Sequence, residues 1–283
     1  MRDVLACTVG GLELKATVWR PEQEGGACAV LYLHGGGLLY GERDDLPKPY
    51  VDLFLSRGYQ LWCMDYPLAP ETPLPTIASV LVGEWAWFAE QVMARGAKKL
   101  LVFGRSAGAY LALLLTKRLA ARPDLPQPAA VIDFYGYHDL SDQFLSEPSA
   151  TYVKYPQVSK GVAQKLVHQE PVVCASKEER FSLYVYARQS GAWRELLGVS
   201  DGDVAGLSLG DEDVAKLPPV FFAASTGDGD VPYATSKRLS RRAPKAKMFT
   251  AYNLEHDFDR DVARPEGMRA YTQCLDWLGS SLA

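Results

Sequence analysis

Cysteine is scarce in this 283-residue chain: five residues, at positions 7, 28, 63, 174 and 274. They are odd in number and widely scattered. No CxxC pair or Cys/His spacing suits a metal, which argues against both a disulfide frame and a zinc site. Cys28 and Cys63 fall inside apolar runs, where cysteine behaves as a small core residue. No stretch approaches the ~20 consecutive apolar residues that a membrane span needs. The opening Met1-Arg2-Asp3-Val4 lacks the apolar segment of a signal peptide, so the chain reads as cytoplasmic. Positive charge is also short. Thirty Lys and Arg face 34 Asp and Glu, a formal charge of −4, and the densest basic clusters, Ser240-Arg241-Arg242 and Lys245-Ala246-Lys247, are too brief for a nucleic-acid footprint. There is no internal repeat or low-complexity tract, and nothing calls for a metal or a cofactor. The oligomeric state has no sequence signal.

What is present is the composition of a globular protein, 48% hydrophobic and 23% charged. The length suits one α/β domain carrying an insertion, large enough to bury roughly three quarters of the surface its unfolded chain exposes. Leu12 to Trp19 alternates as a half-buried strand does, and Val4 to Val9 is placed to pair with it across Gly10-Gly11. Beyond it, short continuous apolar runs recur at Ala29–Leu33, Gln60–Met64, Leu100–Phe103, Ala129–Tyr135 and Val220–Ala224. Such runs suit parallel strands covered on both faces. Helical patterns separate them, at about Lys48–Ser56, Ile77–Arg95 and Ala107–Ala121, and a last strand and helix fall at about Lys247–Tyr252 and Val262–Leu282. Strand–helix alternation of this kind predicts a mostly parallel, doubly wound α/β sheet. Residues 138–217 break the rhythm. They show no buried strand, helical patches at Glu178–Gln189 and Ala192–Leu197, and many aromatics. We read 138–217 as a helical cap inserted in a core made of 1–137 and 218–283.

Two motifs carry chemistry. Gly104-Arg105-Ser106-Ala107-Gly108 joins the strand ending at Phe103 to an apolar helix. A serine displayed on so tight a turn needs small neighbours two places on either side, because strand and helix backbones converge there. The helix N-terminus beneath it favours developing negative charge. Alone this motif is weak, since a glycine-rich turn gives the same letters. His34-Gly35-Gly36-Gly37, directly after Ala29–Leu33, is much rarer by chance. Consecutive glycines let backbone N–H groups face an oxygen unobstructed, and each such donor stabilises an oxyanion by about 3 kcal/mol. Gly36 and Gly37 are the donors we would name, joined by the N–H of Ala107. His34 is expected to brace the loop. Leu38, Leu39 and Tyr40, which follow it, are candidates for the entrance to a substrate pocket.

HGGG ahead of G-x-S-x-G resembles the α/β-hydrolase superfamily, and its hormone-sensitive-lipase-like esterase branch in particular. Asp65-Tyr66-Pro67-Leu68-Ala69-Pro70-Glu71 is similar to that branch's D-Y-R-L-A-P-E loop. The likeness covers about 29–135 and 218–260. It departs at Pro67, where the branch has arginine, and at Arg105, where it has aspartate. The resemblance implies an α/β-hydrolase fold and cleavage of a small to medium ester by an activated serine.

A serine hydroxyl needs a base to take its proton, and the base needs an orienting partner. In this fold the order is Ser, Asp or Glu, then His, each on a loop after a strand. Of four histidines, His34 lies in the glycine loop, His138 just after a strand and His168 in the insertion. Only His256 comes late enough, and His256-Asp257-Phe258 is similar to the family's H-x-F. It must be neutral to accept a proton, with an ordinary pKa of about 6–7 in view. The acid belongs to Thr226-Gly227-Asp228-Gly229-Asp230-Val231-Pro232. Asp228 fits a D-x-x-V-P spacing and is preferred. Asp230 remains the alternative, or else a cap for a helix starting near Pro232. Glu255 reads as solvated surface. The expected catalytic set is therefore Ser106, Asp228 and His256. Two other functions stay open: an amidase or peptidase using the same residues, and a non-catalytic ligand-binding homologue, which a lost member of the set would betray.

Overall fold

The computed structural model describes residues 2–22 and 27–282. Met1 of the terminal stretch, residues 23–26 and Ala283, all within the expected core segments, lie outside the described residues. In chain order the elements are β1 (Arg2–Val9), β2 (Leu12–Trp19), β3 (Cys28–Leu33), α1 (Lys48–Ser56), β4 (Tyr59–Met64), α2 (Leu74–Met93), β5 (Lys99–Arg105), α3 (Ala107–Ala120) and β6 (Ala130–Phe134). Short helices follow: two 3-10 turns, then α4 (Lys160–Lys165), α5 (Lys177–Ser190), α6 (Trp193–Leu196), α7 (Val204–Leu207) and α8 (Asp211–Ala215). The chain then closes with β7 (Val220–Ser225), α9 (Tyr233–Arg242), β8 (Ala246–Ala251) and α10 (Pro265–Ser281).

One eight-stranded sheet runs β1-β2-β4-β3-β5-β6-β7-β8. β1 and β2 form the hairpin expected at Gly10-Gly11, and β2 is antiparallel to β4. All pairings from β4 to β8 are parallel. The buried apolar runs explain this. In β3, Ala29, Leu31 and Leu33 face one core while Val30 and Tyr32 face the other, so each face takes alternate side chains. The first core lies under α2, α3 and the segment between β6 and β7; the second lies under α1 and α10. Helix α3 buries Leu111, Leu113, Leu114, Leu115 and Leu119 around its circumference, as a helix apolar on all sides must. Burying each such side chain contributes roughly 1.5–3 kcal/mol.

Residues 138–217 contain helices and no strand, and two isolated bridges tie this segment to the sheet side, Gly41 with Ala175 and Leu68 with Val172. Its longest helix, α5, starts on a reciprocal cap between Ser176 and Glu179 and ends at Gly191 with φ +72, both strong boundary signals. Two expected boundaries move. α2 begins at Leu74 with a proline in its first turn, and α10 begins at Pro265, because proline is preorganised for the first helical position. Among the described residues no helix is long and apolar enough to cross a membrane.

Candidate active site

Ser106 stands where β5 passes directly into α3, with φ 54 and ψ −119. That conformation is strained for a residue with a side chain. Bonds hold it. Its N–H donates to the Phe134 carbonyl at 2.8 Å, and its own carbonyl accepts from Ala109 and Tyr110. A Cβ on Gly104 would lie 2.1 Å from the carbonyl carbon of Gly108, and one on Gly108 would lie 2.1 Å from the carbonyl oxygen of Leu33. The backbone convergence inferred from the motif is therefore present at both glycines.

The loops after β7 and β8 bring two further side chains to Ser106. His256 Nε2 lies 2.8 Å from Ser106 Oγ, and His256 Nδ1 lies 2.6 Å from Asp228 Oδ2. The second Asp228 oxygen accepts the N–H groups of Asp230 and Val231 at 2.8 and 2.9 Å, which fixes the carboxylate. The two loops are laced together. Ser225 Oγ donates to the Leu254 carbonyl and accepts the Leu254 N–H, while Thr226 Oγ1 accepts the N–H of Asn253. Three side chains spread over 150 positions of sequence thus form one hydrogen-bonded relay, through which a proton on Ser106 Oγ can reach the imidazole. Burial pushes the His256 pKa down, but the adjacent Asp228 carboxylate, with Asp230 and Asp257 nearby, outweighs it and raises the net value to about 9.

The glycine loop lies against the same serine. His34 is buried, its ring stacked on Tyr66 at 4.2 Å between centroids, with Nδ1 2.7 Å from the Gly35 carbonyl. Tyr66 donates to the His34 carbonyl at 2.8 Å. Burial also lowers the His34 pKa. These contacts brace the loop. Gly37 has φ +65, and a Cβ there would fall 2.3 Å from the Tyr184 ring. Its carbonyl accepts the indole N–H of Trp193 at 2.8 Å. Gly36 and Gly37 line a cavity of about 260 Å³ together with Ser106 and His256. Ala107 is the first residue of α3, whose leading N–H groups have no partner within the helix.

Leu38 and Leu39 do not line that cavity. Leu38 has φ +63, and both leucines turn into the core and are fully buried, with the Leu38 carbonyl accepting the N–H of Ala69. Tyr40 alone of the three faces the cavity. The expectation for Asp230 as a helix cap also fails. α9 has no side-chain cap. Asp230 instead accepts from Tyr184 and Tyr152 and pairs with Arg188 Nε at 3.0 Å, so it fastens α5 and its neighbours to the Asp228 loop. Of the other histidines, His138 is buried, with its pKa lowered to about 4 chiefly by burial. His168 is exposed and touches Glu71 through its backbone. Glu255 pairs with Arg264 at the surface.

One arrangement escaped the sequence reading. Arg105 is buried beside Ser106 and donates to Tyr135 Oη at 2.7 Å, to Asp259 at 3.0 Å and to Asp45 at 3.3 Å. Asp259 also accepts from Tyr135 and Tyr271. The signal for it was a charged residue in an otherwise apolar strand, but its partner sits 154 positions away. Among the described residues, no group of three or more His, Cys, Asp or Glu is arranged to hold a metal ion.

A family model described as alpha/beta hydrolase fold matches residues 30–258, and the chain belongs to that family. Its sheet, turn and loop order agree, and the resemblance to the HGGG esterase branch holds. Among solved structures, an α/β-hydrolase superfamily protein from Enterococcus faecalis is 32% identical with a TM-score of 0.87, covering 98% of both chains. A Staphylococcus aureus protein of unknown function is 28% identical with a TM-score of 0.89, covering 99% of this chain and all of that one. An ethyl acetate hydrolase from Pseudomonas putida is 34% identical over 144 residues, 49% of this chain. The chain matches only 45% of that relative's length.

Proposed function

We propose that the protein is a serine carboxylic-ester hydrolase that acts on a small ester through an acyl-serine intermediate. The observation that carries this reading is His256, held between Ser106 Oγ at 2.8 Å and Asp228 Oδ2 at 2.6 Å. Ser106 Oγ attacks the ester carbonyl carbon as His256 Nε2 takes its proton. Asp228 keeps the imidazole in the useful tautomer and stabilises the imidazolium. The oxyanion is met by the N–H groups of Gly36, Gly37 and Ala107. Collapse breaks the ester C–O bond, and His256 returns the proton to the leaving alcohol. Water, deprotonated by the same imidazole, then attacks the acyl-serine and releases the acid. Segment 138–217 acts as a cap, and its Tyr184 and Trp193 contacts with Gly37 support that role. The hydrolases among the relatives point the same way, and the ethyl acetate hydrolase suggests a short substrate.

The test is covalent labelling. A fluorophosphonate should modify Ser106, and Ser106→Ala should lose both labelling and ester turnover while keeping its melting temperature. Labelling that persists in Ser106→Ala would exclude this nucleophile.

A further inference from the structure

The wall of the Ser106 cavity has an unusual chemistry. Ligand pockets are mostly apolar, with a few polar groups for orientation. Among the described residues no aliphatic side chain lines the cavity, and apart from the His256 imidazole its rings are those of Tyr40, Tyr135 and Tyr184. The rest is glycine backbone, the serine and histidine, and charged residues.

The charged groups fall into two sets. One set is already ion-paired. Arg105 is held by Asp45 and Asp259, Asp230 by Arg188, and Asp257 by Arg260. Four further polar side chains on the wall keep free hydrogen-bonding capacity. Among the described residues, Glu42, Lys177 and Glu178 enter no ion pair and the Tyr40 hydroxyl no hydrogen bond, while the Lys177 ammonium lies over the Phe181 ring at 4.8 Å from its centroid. They come from two segments, one just after the glycine loop and one at the start of α5. Together they offer acceptors and donors of both signs, so a neutral ligand with several hydroxyls satisfies them better than an ion does.

An alkyl chain gains little here. Burying a CH₂ is worth about 0.8 kcal/mol when the wall is apolar, but against this wall it displaces water from the exposed Glu42 and Glu178 carboxylates without replacing the hydrogen bonds that water made. A hydroxyl replaces that water bond for bond. At about 260 Å³, the space is below the range of roughly 300–1,000 Å³ usual for ligand pockets, so the part of the substrate held within it is short.

Building on the serine-hydrolase reading, we propose that the site selects small esters bearing hydroxyl groups over alkyl esters of the same length, with Tyr40, Glu42, Lys177 and Glu178 receiving the hydroxyls. The hydroxyls can belong to the acid or to the alcohol, and matched pairs separate the two. In the first pair, methyl 3-hydroxybutanoate competes with methyl butanoate. In the second, 2,3-dihydroxypropyl acetate competes with propyl acetate. We expect at least a tenfold higher kcat/KM for the hydroxylated ester in one pair, and that pair identifies the side. Equal or faster turnover of both alkyl esters would overturn the proposal, as would failure to hydrolyse any of the four by enzyme whose Ser106 is labelled by fluorophosphonate. Absent labelling together with absent turnover would instead remove the underlying hydrolase reading, and this proposal with it. The exposed pair Glu42→Leu and Glu178→Leu, combined, should lower the hydroxyl preference at least threefold. An unchanged ratio would overturn the assignment of these carboxylates.

Discussion

Arg105 and Asp259 pair at 3.0 Å with side chains 3% and 0% exposed, and they stand respectively one residue before Ser106 and three residues after His256. The pair joins the turn that carries the serine to the loop that carries the imidazole. Tyr135 completes the link: its hydroxyl donates to Asp259, and its ring packs against His256 at 4.8 Å between centroids. Removing Asp259 leaves buried Arg105 with only its longer contact to Asp45, at 3.3 Å, and breaking a buried pair costs up to about 3–5 kcal/mol. Asp259→Ala should therefore lower unfolding free energy by that amount in urea titration. A loss under about 1 kcal/mol would show that the strut contributes little.

Asp228 and Asp230 make a discriminating comparison. Asp228→Asn should fold normally and lose about 10⁴ in turnover, the effect of forcing the imidazole toward the wrong tautomer. Asp230→Asn should show the opposite balance. It strips the charge partner from buried Arg188 and weakens the attachment of α5, so stability drops by about 3–5 kcal/mol while turnover measured below the melting transition falls far less. A dead but stable Asp230→Asn beside an active Asp228→Asn would exchange their roles.

The pH profile follows from the same contact. His256 works as a base only when deprotonated, and its pKa is raised to about 9 with Asp228 as the chief positive influence. Activity should therefore fall as pH drops below about 9 rather than below the usual 6.5. Residual kcat/KM of Asp228→Asn should hold to lower pH, since the group that raises the pKa is gone. An acid limb near pH 6 in the parent enzyme, unmoved in the variant, would contradict this account.

Asp133 supplies a prediction about stability alone. It is buried in β6, Oδ1 accepts the N–H of Gly136 at 2.8 Å, and Oδ2 has no partner among the described residues. Burial raises its pKa to about 7. Because the folded value exceeds the unfolded one, stability from this group is complete below about pH 4 and is lost as pH rises through 7. Asp133→Asn keeps the acceptor and removes the ionisation. Its melting temperature should match the parent's at pH 4 and exceed it at pH 8. The reverse order at pH 8 would refute this.

The sheet was legible because its strands are buried on both faces, and runs such as Leu100–Phe103 leave little alternative. Ser106 and the glycine loop were legible because close backbone approach forces glycine at fixed spacings. Asp228 could be preferred but not separated from Asp230, since both sit in one loop and only the 2.6 Å contact with Nδ1 distinguishes them. Leu38 and Leu39 misled because apolar residues beside a functional loop can face either way, and the positive φ at Leu38 sends them inward. Asp259 was invisible for a different reason. Nothing local marks an aspartate whose cation lies 154 residues earlier.

The indole N–H of Trp193 bonding to the carbonyl of Gly37 bears on how such a fold can be remodelled. Segment 138–217 leaves the sheet after β6 and returns at β7, which makes it look like a cassette that could be swapped for another of any length. The Trp193 bond makes the exchange conditional. A graft that fits the ends but brings no donor to that spot frees the Gly37 peptide to rotate, and chimeras built without one should keep the scaffold while losing the shape of the glycine loop. Successful exchanges would be those in which an aromatic or amide donor arrives in the position of the tryptophan.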